Sequence, residues 1–242
     1  MCRTAAALAI EGDVTGSRAG YAEALGIYKT LGAYRGTADT TSNLAELAFR
    51  SGDAETALRQ ASDGLAVLRE RSAAGVLPTA LINMSAYLIA LGWYDEAEVR
   101  ARDALARARE QQRDAVVAFA LQHLAAVAVL RPQAKPECTR ETCVRGARIL
   151  GFVDGRLTAL RHAARQYTEQ QEYDRVLAVL RRALGTDELA KLMSDGAALT
   201  EEQAVAYALE MQDREHSAQR RRPDRSRHLV ELNRARALPD HR

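Results

Sequence analysis

Apolar and small residues return along the chain in a register that repeats every 40 positions, read most easily at the turn glycines Gly12, Gly52 and Gly92. Five residues after each glycine stands Ser17, Ala57 or Ala97, and a small residue followed by leucine comes next at Ala24-Leu25, Gly64-Leu65 and Ala104-Leu105. Each glycine is expected to end one helix in the left-handed conformation. The aspartate behind it, at Asp13, Asp53 and in Gly-Trp-Tyr-Asp at Asp95, is expected to cap the next helix. Every repeat is therefore predicted to be a helical hairpin, and the small residues at 57 and 97 let its two helices approach. A fourth first helix is predicted over 114–131, with Leu121, Leu124, Ala125, Ala128 and Leu130 as its apolar face. There the period stops, because Pro132 takes the place of Gly92 and Arg131-Pro132-Gln133-Ala134-Lys135-Pro136 reads as a loop.

Past the loop, further helices are predicted over 141–160, 168–184, 187–193 and 200–211. Thr168 and Thr200 each stand three residues before a glutamine, the capping-box spacing. After Thr168, the residues Tyr173, Val176, Leu177, Leu180 and Leu184 form a stripe at helical spacing. The chain thus divides into repeats over 1–131, a loop over 132–140, a helical cap over 141–211 and a basic tail over 212–242, expected to be disordered.

The run Asn43-Leu44-Ala45-Glu46-Leu47-Ala48-Phe49-Arg50-Ser51-Gly52-Asp53 resembles the tetratricopeptide repeat, whose usual period is about 34 residues. The stretch Ala147-Arg148-Ile149-Leu150-Gly151-Phe152-Val153, with Gln171-Glu172-Tyr173, Leu177, Leu180-Arg181, Leu184-Gly185, Gly196, Leu199 and Gln203-Ala204-Val205, resembles the C-terminal end of a bacterial regulator family. Those are large signal-responsive proteins that carry an ATPase switch domain, often with a LuxR- or SARP-type DNA-binding domain, ahead of tetratricopeptide-like repeats. The resemblance implies an all-α, right-handed α-solenoid of about three and a half hairpins with a C-terminal helical cap. It implies no ATPase activity here, because the chain has no Gly-x-x-x-x-Gly-Lys-Ser/Thr phosphate loop.

Composition agrees with packed helices, being 47% hydrophobic yet only 5% aromatic. The net charge of +2 excludes a global field for nucleic acid or membrane, although nine arginines against five acids lie between Asp213 and Arg242. Glu11 and Asp13 interrupt the apolar start too early for a signal or a span, and no run approaches about 18 apolar residues. A cytoplasmic protein with reduced thiols at Cys2, Cys138 and Cys143 is expected. Because Met1 falls inside the first helix of its hairpin, an exposed stacking face is expected, covered by upstream sequence, a partner or a second copy of the chain.

Candidate chemistry is sparse. Asn43, Asn83 and His123 stand 40 residues apart in the first helices and read as a ladder on a concave surface, where an Asn amide both donates to and accepts from an extended peptide backbone. Asp39, Glu46, Arg50, Thr79 and Gln122 are candidates for the same groove, and the plain alternative is a set of polar helix positions. Cys138 and Cys143 have poor zinc spacing, and His162, His216, His228 and His241 are scattered. No metal, cofactor or catalytic constellation is expected, so the reading is a non-enzymatic module for a protein or peptide partner or for ligand sensing. The alternative is nucleic-acid binding through Arg220, Arg221, Arg222, Arg225 and Arg227, where no aromatic residue is interleaved for base stacking.

Overall fold

The computed structural model describes residues 13–70, 75–131, 139–160 and 165–220, with the backbone alone over 211–220. These form ten helices: α1 Val14–Thr30, α2 Tyr34–Arg50, α3 Ala54–Glu70, α4 Leu77–Leu91, α5 Tyr94–Glu110, α6 Asp114–Leu130, α7 Arg140–Ala159, α8 Tyr167–Leu184, α9 Thr186–Ala197 and α10 Glu201–Arg220. No strand occurs among the described residues.

Four of the turns share one construction. A residue with positive φ follows the helix (Gly32, Gly52, Gly92 or Gln112), and the next amide bonds back to the carbonyl five residues earlier. Thus Asp53 N donates to Ala48 O at 3.0 Å, Trp93 N to Leu88 O at 2.9 Å and Arg113 N to Ala108 O at 2.9 Å. The expected glycine stops at Gly52 and Gly92 are present, with φ of 86° and 77°. Asp13 caps α1 by accepting from Gly16 N at 2.8 Å, and Asp53 caps α3 by accepting from Thr56 N at 2.9 Å. Asp95 does not cap. The residue before α5 is Trp93, and Asp95 sits in the first turn, where it pairs with Arg131 at 3.1 Å.

Helices α1 to α7 pack antiparallel, each on the next, and α4 also touches α6. The small residues that recur every 40 positions lie at these contacts, with Ser17, Ala57 and Ala97 fully buried and Leu65 and Leu105 nearly so. Ser85 in α4 donates to the Ala97 carbonyl of α5 at 3.0 Å, a reach that a larger residue at 97 would prevent. One continuous core runs from α2 to α10.

The cap departs from simple succession. Helix α8 lies across the first helices α2, α4 and α6 rather than only on its neighbours. Helix α9 turns back onto α7, and their backbones meet where a Cβ on Gly151 would overlap the Met193 carbonyl and one on Gly196 the Arg148 carbonyl. Only glycine fits there.

Two expected ends shift by several residues. α9 reaches Ala197 instead of residue 193, and α10 continues to Arg220 instead of ending at Met211. Thr200 and Gln203 do form a reciprocal capping box, at 2.9 and 3.3 Å. Thr168 does not, because α8 starts at Tyr167 and the Thr168 hydroxyl turns to another helix. Cys143, expected as a free thiol, is fully buried in α7 and disulfide-bonded.

Candidate functional site

The ladder positions form a gradient. Asn43 in α2 is exposed, Asn83 in α4 is half-buried and donates to Ser42 Oγ at 2.9 Å, and His123 in α6 is fully buried. Asp39 and Arg50 are exposed on the same α2 face as Asn43, while Glu46 is half-buried and Gln122 fully buried. Thr79 in α4 is half-buried, and its hydroxyl has no partner among the described residues. The cause of the gradient is α8, whose first turns descend onto α2, α4 and α6.

What meets beneath α8 is a cluster of polar side chains in the interior. The Glu172 carboxylate stands 2.7 Å from His123 Nδ1 and accepts from Gln122 Nε2 at 3.3 Å. The same amide nitrogen donates to the Glu169 carbonyl at 2.9 Å, and Gln122 Oε1 accepts from Arg165 Nε at 2.7 Å. Arg165 continues to Asp154 at 2.5 Å and lies over the Tyr173 ring, while Tyr173 also donates to Asp154 at 2.6 Å. On the α2 side, Glu46 accepts from Thr168 at 2.6 Å and from the Tyr87 hydroxyl at 3.4 Å. The rim is aromatic. Tyr167 meets Phe49 edge-on at 6.3 Å, and the Arg50 guanidinium covers its outer side.

Charge buried this deeply must be matched. Burial acts to lower the His123 pKa, but the Glu172 carboxylate and then Glu169 outweigh it and hold the imidazole above the ordinary histidine value. Burial pushes the Glu169 carboxyl up against the pull of His123, and Glu46 and Glu172 add to the rise. Burial, and then the neighbouring Glu46, keeps the Tyr87 hydroxyl protonated. Within this cluster His123 Nε2 and Glu169 Oε2 are buried without a hydrogen-bond partner among the described residues.

No family model, curated protein or solved structure matches this chain. What the cluster can do is therefore read from its own geometry. It can hold a helix by a hydroxyl and two acids.

Glu169, Glu172, Thr168, Arg165 and Asp154 were not singled out in the sequence as site residues. The available signal was Glu172, which stands four residues before Val176 and so falls on the apolar stripe of α8. An acid on a buried stripe requires a partner, and Gln122-His123 inside the otherwise apolar α6 is its counterpart. Arg221, Arg222, Arg225 and Arg227 lie outside the described residues, as does the side chain of Arg220. Among the described residues no group of three or more His, Cys, Asp or Glu is placed to hold a metal, and no helix is long and apolar enough to cross a membrane.

Proposed function

We propose that this chain is a protein-recognition module of the kind found as tetratricopeptide-like repeat regions in bacterial transcriptional and signalling regulators. In this reading α1 to α6 form part of a right-handed solenoid, and α2, α4 and α6 line its concave side. The observation that supports it is the polar row Asp39, Asn43 and Glu46 along one face of α2, open at Asp39 and Asn43 and beside the half-buried Asn83. An exposed amide on a rigid helix offers a donor and an acceptor to a polypeptide backbone with little ordering cost on the protein's side. The module does its work by binding, without a reaction of its own.

The test is retention of a specific polypeptide by the purified chain, compared with Asn43→Ala plus Asn83→Ala. Loss of the polypeptide with unchanged thermal unfolding is the expected result. Equal retention by both proteins would make these residues ordinary surface.

A further inference from the structure

The two halves of α8 are held in different ways. Its second half is anchored as core, with Val176 and Leu180 fully buried and Leu184 nearly so. Its first half is docked by polar contacts: Thr168 on Glu46, Glu172 on His123 and Gln122, and the Tyr167 ring on Phe49 under Arg50. Exchangeable contacts within and between chains are generally more polar than permanent ones. The dock is also incomplete. His123 is 0% exposed and Glu169 5%, yet His123 Nε2 and Glu169 Oε2 find no partner among the described residues. An unmatched buried polar atom is a penalty that a better-fitting occupant removes.

We propose that this seat is exchangeable, and that an acidic amphipathic helix of a partner protein displaces the first two turns of α8 and takes their place on α2, α4 and α6. This rests on the reading above that the row of first helices recognises a protein. Helix α8 itself states the pattern the occupant needs: an aromatic residue, a hydroxyl beside it and an acid four residues beyond the hydroxyl, as in Tyr167, Thr168 and Glu172. The hydroxyl satisfies Glu46, the acid satisfies His123 and Gln122, and Arg50 flanks the seat with positive charge that favours an acidic helix. A partner gains over α8 by presenting an acceptor or donor to His123 Nε2. Val176 and Leu180 stay in the core, so the exchange unwinds two turns and leaves the rest of the cap in place.

The probe is a labelled synthetic peptide with the sequence of residues 165–177, titrated by fluorescence anisotropy into the full chain. Wild type is compared with a chain carrying Thr168→Val and Glu172→Gln, which loosens the internal dock and leaves the seat intact. At least tenfold tighter binding to the loosened chain is expected, and a smaller gain of the same sign with Thr168→Val alone, which changes no charge. The gain is expected to vanish when the chain also carries His123→Ala or when the peptide carries Glu172→Lys. Circular dichroism and thermal unfolding show that each variant is folded. No gain in either folded variant would overturn the proposal, and so would a loosened chain that dimerises without binding peptide, which would assign the seat to a second copy. If the peptide fails while retention dependent on Asn43 and Asn83 persists, the seat is permanent and the recognition reading stands; peptide binding without that retention leaves the seat and removes the open-end reading.

Discussion

Asn43 in α2 and His123 in α6 hold the same register position two repeats apart, yet the first lies in water and the second in the core. Their neighbours Ser42 and Gln122 differ likewise, one half-buried and the other 0% exposed. The repeat fixes which way a first-helix side chain points. What covers it is decided by α8, an element outside the repeat that closes the α6 end and meets α2 at Glu46, Phe49 and Arg50. Equivalent positions in a repeat array therefore carry unequal energies.

The sharpest way to break this comparison is to truncate its two ends separately. His123→Ala strips Glu172 of its buried partner and is expected to cost about 3 to 5 kcal/mol in urea unfolding. A cost near that of a surface substitution would show that the α6 end is not closed. The next effect is a dependence on pH. A raised folded pKa means the imidazole contributes fully below its ordinary 6.5 and loses that contribution as pH climbs through the folded value. Glu169, raised from 4.5, tilts stability the same way from that pH upward, so the urea midpoint is expected to fall as the pH rises from below 6.5 through the folded value of His123. His123→Gln should flatten the upper part of this slope; a slope unchanged in that variant would remove His123 as its source.

Smaller effects sharpen the boundary between the ends. Thr168→Val deletes the hydroxyl that joins α8 to Glu46 and is expected to cost about 1 kcal/mol, with the rest of α8 still docked. Asn43→Ala, at the open end, is expected to change stability by less than about 0.5 kcal/mol. A larger loss there would mean that Asn43 is covered.

Much of the fold was legible in the sequence because its signals are local. Gly52 and Gly92 stop helices by a backbone conformation that glycine adopts freely, and Thr200-Gln203 closes its own box within one turn. The stripe Val176, Leu180, Leu184 is legible from spacing alone. Gln112 makes the same left-handed turn at φ 52° without a glycine, so nothing local announces it. The site was less legible because its parts are distant in sequence. Thr168 had the spacing of a capping box, and a hydrogen bond to Glu46 in α2 claimed the hydroxyl instead. In α6 a single apolar face was expected, whereas helices pack on it from several sides and bury most of its length. Gln122 and His123 were found as polar positions, but their partners come from a helix whose crossing direction no periodicity encodes.

The account stands on α8 lying over α6 through the His123–Glu172 pair, so the most direct measurement is a double-mutant cycle between these two residues in the full chain. Urea unfolding of wild type, His123→Ala, Glu172→Ala and the double variant is expected to give a coupling of about 1 to 3 kcal/mol, because once one partner is gone, losing the second relieves a buried unpaired charge. Additive single effects, with coupling indistinguishable from zero in folded variants, would contradict the closed end and with it the contrast between α2 and α6.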